Sequence, residues 1–519
     1  MSTSPNTEHD PSSSLEDAQK RILAAYAPEV FEKASQRLSG LLTKYMSDAE
    51  SSQGDVLPWR PPAELVELGH QVLDESVTAS SLDPESAEKR FTKIVEVMLT
   101  HSHRLHDPRY IGHQVPAPVP LGGLFDAVGS VTNQVMAVYE MGPWATAVER
   151  VMVETLGREI GWTPGEFTGV VTHGGSLANL TALLTARNIR LPDVWNRGLA
   201  NPKQGEPVIV AQADSHYSIA RAAGVMGLGV KNVIPVPLDE RRRMDPVELE
   251  SILERLETEG RPVIAVVAGA CATPIGAFDP LREIGKICRS REIWLHVDAA
   301  HGGAALLSPK YRPLLDGIDQ ADSVVWDAHK MLFTPGLCAF VFYKDKRHAD
   351  RTFHQEAPYL FDPTAPELAV YDSGVRTLEC TKRAAAFGIW GLWAMFGRQL
   401  FVDLVETTFS MGTVFHEKLD AAEDFVPLHR PQCNIVAFRH VPEALRNAPS
   451  DVLGRFQFEL RRNLIESGEF YIVSTALDGV GALRATVMNP LTQPEHIDAL
   501  LDALRRHGRE LLTSMEGVG

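Results

Sequence analysis

Lys330 closes the run Trp326-Asp327-Ala328-His329-Lys330, which follows the β-branched stretch Asp322 to Trp326. An amine delivered at the end of a strand is a candidate nucleophile. A second stretch, Ile293 to Val297, runs into Asp298-Ala299-Ala300-His301-Gly302-Gly303, placing one carboxylate among small residues that let another group come close. A third, Thr172-His173-Gly174-Gly175-Ser176-Leu177-Ala178-Asn179, turns through two glycines and a serine into an expected helix over 180–187. Backbone N–H groups at such a helix start favour phosphate. A fourth, Asp214-Ser215-His216-Tyr217-Ser218, offers an imidazole able to stack on a flat ring. An amine to hold an aldehyde, an acid to keep a pyridine nitrogen protonated and a cradle for phosphate form the combination that pyridoxal 5′-phosphate chemistry needs. Each piece alone has a bland reading: Lys330 as a solvated cap, His216 as a turn histidine, Asp298 as a helix cap, the glycines as an ordinary turn. The joint placement carries the argument.

These groups need elements that bring them to one place. From about residue 107 to 375, short apolar runs alternate with helical segments: Thr168 to Thr172, Pro207 to Ala211, Val230 to Pro237, Val263 to Val267, Trp294 to Asp298, Asp322 to Trp326 and Cys338 to Phe342. Such alternation predicts a mainly parallel sheet covered on both faces, with ligands beyond the C-terminal ends of its strands. Ahead of it, helical spacing runs from Leu15 to Tyr45, from Pro62 to Ser76 and from Pro84 to His101. Behind it, a helix is expected over 381–396 and another over 494–512, with weaker strand signals between. The reading divides the chain into a disordered leader (1–14), a helical N-terminal segment (15–106), a large domain (107–380) and a small α+β C-terminal domain (381–519).

With 44% apolar and 23% charged residues the 519-residue chain can bury a large core, so disorder is excluded as its general state. A net charge of −17 without a basic block argues against nucleic acid or an anionic membrane as partner. The five cysteines are scattered and contain no C-x-x-C pair, which suggests neither a disulfide framework nor a zinc site, so no metal is expected. No apolar window spans a membrane, and the polar N-terminus lacks a signal-peptide pattern, so a cytoplasmic protein is expected.

From about 107 to 512 the sequence resembles the group II PLP-dependent amino acid decarboxylases, the family acting on glutamate, cysteine sulfinate, 2,4-diaminobutyrate and aromatic amino acids. The resemblance is carried by His216 to Gly229, by Gly276-Ala277-Phe278-Asp279-Pro280, by Ile293 to Ser308 and by Ala321 to Met331. It implies an α/β chain of the aspartate-aminotransferase-like fold type I, with a mainly parallel seven-stranded sheet and a helical N-terminal arm used in dimerisation. It makes Lys330 the Schiff-base lysine, Asp298 the partner of the pyridine nitrogen and His216 the stacked ring. Thr273 and Ala300 line the cofactor, Gly175 and Ser176 hold its phosphate, and Asp327 and His329 lie beside it. Tyr359, 29 positions after the lysine, matches a loop tyrosine that reaches the neighbouring subunit's site in a homodimer. Arg484 matches an arginine for the substrate carboxylate, and His113 and Gln114 fall near a substrate-contacting segment.

Three positions depart from the family pattern: Asp327 replaces an asparagine, His301 an aromatic residue, and Ala270-Cys271-Ala272 a glycine-threonine run. By themselves, Tyr359 would be an ordinary loop aromatic and Arg484 a structural ion-pair arginine. The implied reaction is decarboxylation of an amino acid: glutamate, aspartate, cysteine sulfinate or 2,4-diaminobutyrate. A lyase, an aminotransferase or a decarboxylation-dependent oxidative deaminase on the same fold are alternatives, as is a non-catalytic binding protein.

Overall fold

The computed structural model describes residues 11–77, 83–199, 205–353 and 369–516. Its contacts divide into two units. One takes the chain up to Tyr110 together with Arg462–Tyr471; the other takes Ile111–Arg461 and the chain from Ile472 onward.

The first unit is helical: Pro11–Ala25, Pro28–Glu50, Pro62–Val77 and Pro84–His101. Each opens on proline, whose fixed φ and missing N–H suit the first helical position. The stretch of helical spacing from Leu15 to Tyr45 falls into two helices separated at Ala27, whose ψ of 125° is extended, because the following proline crowds the helical conformation of the residue before it. The last helix is capped by Asp83, whose carboxylate accepts from the N–H groups of Glu85 and Ser86 at 3.1 Å each.

The second unit carries a seven-stranded sheet: β1 (Thr168–Thr172), β2 (Val208–Gln212), β3 (Val233–Val236), β4 (Val263–Gly269), β5 (Trp294–Asp298), β6 (Ser323–Asp327) and β7 (Ala339–Tyr343). The spatial order is β1-β7-β6-β5-β4-β2-β3. β7 alone runs against its neighbours, so the other six point the same way. β2 and β6 are buried at every position, as strands covered on both faces must be. All seven expected strands are present, Thr168–Thr172 and Trp294–Asp298 with the expected bounds and the others with ends moved by up to three residues; the start of the third, Val230–Asn232, is a 3₁₀ turn instead.

A second sheet consists of β8 (Phe425–Pro427), β9 (Ile435–His440), β10 (Val473–Leu477) and β11 (Val480–Thr486), in the antiparallel order β8-β9-β11-β10. Its hairpin turns through Asp478 and Gly479, both at positive φ (53° and 79°), the conformation that a two-residue turn between twisted strands requires.

The helix expected from Thr381 starts only at Phe387 and runs on to Asp420, kinked at Gly397. Lys382 explains the late start. Its ammonium is buried and donates to both carboxylate oxygens of Glu149 at 2.7 Å and to Val171 O at 2.6 Å. That anchor holds Lys382–Arg383 extended, paired with Val135–Met136. The closing helix, Pro494–Glu516, extends one turn past its expected end.

Candidate active site

β5 and β6 are adjacent and parallel, with Asp298 opposite Val325, so Asp298 and the turn from Asp327 to Lys330 emerge at one edge of the sheet. β1 and β2 point the same way, which brings the Gly174–Ser176 corner and the Asp214–Ser218 segment to that edge too. A cavity of about 380 Å³ opens there, within the usual range of about 300–1,000 Å³ for small-molecule sites. Lys330, Asp298, His216 and Thr273 line it, as do Gly175 and Ser176. Ala300, Asp327, His329 and Gln114 complete the group of expected residues on its walls. Neither His113, which is exposed, nor Arg484, which is buried, is among the lining residues. Tyr359 and its loop lie outside the described residues.

Lys330 is about one-fifth exposed, and its Nζ is 3.3 Å from Asp327 Oδ2, whose side chain is 1% exposed. Among the described residues neither Asp327 oxygen has a hydrogen-bond partner, so Lys330 is its main compensation, with His329 Nε2 at 3.6 Å. The carboxylate is directed at the first turn of the helix Gly175–Arg190, where a Cβ on Gly175 would come within 2.7 Å of Oδ2. Only glycine allows that approach. His329 is fixed through Nδ1, which lies 2.9 Å from Cys338 O.

Asp298 accepts from Asn179 Nδ2 at 2.8 Å and from the N–H of Ala300 at 3.1 Å. Asn179 ends the glycine-rich corner, where the sequence alone gives it no role. It lies one turn after Gly175 on the same helix face, and its Oδ1 is 2.9 Å from His296 Nε2. His296 and Asp298 are two apart on β5 and so share a face of the sheet. Burial drives the His296 imidazole down to about 4 and keeps it neutral. The His216 ring is held by Ser218, with Nδ1 2.8 Å from Oγ, and desolvation lowers its pKa also. Ser218 in turn accepts from Asn179 Nδ2 at 3.0 Å. A single asparagine thus orients the acid and the support of the imidazole. Another cavity residue without an assigned role is His173, which contacts Glu379 through Nδ1.

Arg484, on β11, is 5% exposed; its Nε and Nη2 are buried without a hydrogen-bond partner among the described residues. Desolvation pulls the guanidinium down to about 10, and the groups that oppose the shift are Cys271 and Cys433, not a carboxylate. Cys271, His301 and Cys433 come together in space although they are far apart in the sequence.

The family model described as the pyridoxal-dependent decarboxylase conserved domain matches residues 70–441. The chain belongs to the pyridoxal-dependent decarboxylases. The human acidic amino acid decarboxylase GADL1 is 30% identical over 497 residues, covering 94% of this chain and 92% of that one. The crystal structure of mouse CSAD is similar with a TM-score of 0.83 at 28% identity, covering 93% of this chain and 99% of that one. A structure of Oryza sativa TDC with PLP and tryptamine gives 0.82 at 20% identity over 93% and 99% of the two chains, a likeness of fold.

This decarboxylase is therefore a fold type I carboxy-lyase that takes carbon dioxide from an amino acid, and its cofactor is pyridoxal 5′-phosphate. The residues present fit that cofactor. An amine and a carboxylate face one cavity, the carboxylate is oriented by two donors, and the cavity borders the start of a helix, whose first N–H groups have no acceptor within the helix.

Proposed function

We propose that this decarboxylase acts on a small amino acid with an acidic side chain, received by Arg484. The observation that carries the reading is the buried guanidinium with two unpartnered nitrogens. A cation so placed is costly unless a ligand satisfies it, and a carboxylate or sulfinate accepts two parallel N–H bonds from an arginine. The relation to a human acidic amino acid decarboxylase supports the same substrate class.

In this reading Gly175 and Ser176 hold the phosphate on the helix start, with His329 beside them, and Thr273 and Ala300 flank the ring. The bound cofactor supplies an aldehyde for the substrate amine and a protonated ring that takes up the electron pair left by carbon dioxide. Lys330 holds the cofactor between turnovers and yields it to the incoming amine. Asp298, fixed by Asn179 and Ala300, stabilises the positive charge on the ring nitrogen. His216, uncharged through desolvation, offers its flat face without adding charge. Gln114, on the cavity wall, borders the substrate side chain. Tyr359 returns a proton to the substrate's α-carbon, from the neighbouring subunit of a homodimer. Apolar side chains exposed on the N-terminal helices, among them Ile22, Tyr26 and Phe31, support burial of that segment in a dimer. Among the described residues no helix is long and apolar enough to cross a membrane, and all five cysteines are free; both agree with a cytoplasmic enzyme.

The test is release of carbon dioxide and amine from aspartate, glutamate, cysteine sulfinate, 2,4-diaminobutyrate, tyrosine and tryptophan. The expected outcome is turnover confined to the acidic members. Preference for diaminobutyrate or an aromatic substrate would remove the role given to Arg484.

A further inference from the structure

Two of the three departures from the family pattern, Cys271 and His301, meet Cys433 in the tertiary structure. One ligand atom from each residue can be chosen so that all three lie within 4.8 Å of one another, and all three side chains are buried. The two sulfurs are 3.9 Å apart. Zinc–sulfur bonds of about 2.3 Å at a tetrahedral angle put two sulfurs about 3.8 Å apart, so the thiols already have the spacing of two ligands on one ion. His301 Nε2 is 2.8 Å from Asn434 Oδ1. Asn434 Nδ2 donates to Val487 O at 2.9 Å, which orients the amide so that its oxygen faces the ring. The imidazole must then carry its proton on Nε2, leaving the lone pair on Nδ1, an atom buried without a hydrogen-bond partner among the described residues. A neutral histidine whose far nitrogen is held by a second group, so that the near one is free to coordinate, is the usual arrangement of a metal-ligating imidazole.

We propose that Cys271, His301 and Cys433 form a binding site for a thiophilic divalent cation, of which zinc is the type. Two thiolates and one neutral imidazole leave a divalent ion without net charge, the state that a buried site tolerates. Three protein ligands leave a fourth position open. Cys271 and His301 also line the cavity beside Lys330, so the ion is part of the wall of the substrate pocket. Sequence spacing hid this site because its ligands come from three separate segments, and the expectation of no metal is replaced by this proposal.

The probe is zinc alone, added to the reduced holoenzyme by dialysis against a chelator-buffered zinc solution. Metal content and zinc-edge X-ray absorption are then measured. The expected result is one zinc per chain with two sulfur neighbours and a nitrogen, loss of the sulfur shell in the Cys271→Ser/Cys433→Ser double variant, and its retention in Cys288→Ser. Asn434→Ala should weaken binding by about 10–100-fold. If the double variant does not fold, the wild-type spectrum decides, together with protection of two thiols from alkylation when zinc is present. Zinc held only by nitrogen and oxygen, a sulfur shell that survives the double substitution, or unprotected thiols would overturn the proposal.

Discussion

Replacing Arg484 by methionine removes the cation while keeping much of the side-chain volume, and it separates a substrate-binding arginine from a structural one. A structural arginine would have its hydrogen bonds within the protein, whereas Nε and Nη2 of Arg484 are buried with none among the described residues. If both donate to the substrate's acidic group, each charge-assisted bond is worth about 1.5–3 kcal/mol, or about 3–6 kcal/mol for the pair. At about 1.4 kcal/mol per factor of ten, kcat/KM for an acidic substrate should fall by about 10²–10⁴-fold. The unliganded protein should keep or gain stability, because a desolvated cation without a partner is removed. Initial rates of carbon dioxide release from acidic and non-acidic amino acids, with thermal unfolding of both proteins, test both halves. A marked drop in Tm with selectivity unchanged would show Arg484 to be structural and refute the reasoning.

Lys330→Ala should abolish turnover and leave a protein that loses the visible absorbance of the cofactor on desalting; normal turnover would end the assignment of the lysine. Tyr359→Phe should divert product to aldehyde with uptake of oxygen, measured by an oxygen electrode and carbonyl trapping, and full amine yield without aldehyde would count against the proton donor. Lys382→Met strands the buried Glu149 carboxylate and should cost about 3–5 kcal/mol, with partial recovery when Glu149→Gln is added, as read from denaturant midpoints. His429 Nε2 accepts from the N–H of Ala437 at 3.1 Å, and burial lowers its pKa from 6.5 to about 4. Its folded pKa lies below the unfolded one, so its contribution is full above pH 6.5 and is lost as pH falls towards 4, by up to about 3 kcal/mol. His429→Gln should flatten the decline in stability between pH 7.5 and 5; an identical decline would contradict this.

Much of the site was legible in the sequence because its parts are local. A strand followed at once by a turn and a reactive side chain puts that side chain at a strand end wherever the strand goes, which is why Asp298, Lys330, His216 and the Gly175–Ser176 corner could be named from their runs. Alternation of apolar strands with helices determines a parallel sheet, and a parallel sheet gathers those ends at one edge. Proline positions likewise set most helix starts.

What only the tertiary structure decided are the groups whose partners are distant. Asn179 reaches Asp298 across 119 positions, and Lys382 is held out of a helix by Glu149, 233 positions away. The unpartnered state of Arg484 depends on what β11 packs against, and the Cys271–His301–Cys433 grouping exists only where three segments meet. Local pattern states what a residue offers and in which direction the chain carries it. Whether a buried charge finds a partner is decided by the packing of the whole unit, because desolvation and Coulomb attraction depend on distances in space and not on distances along the chain.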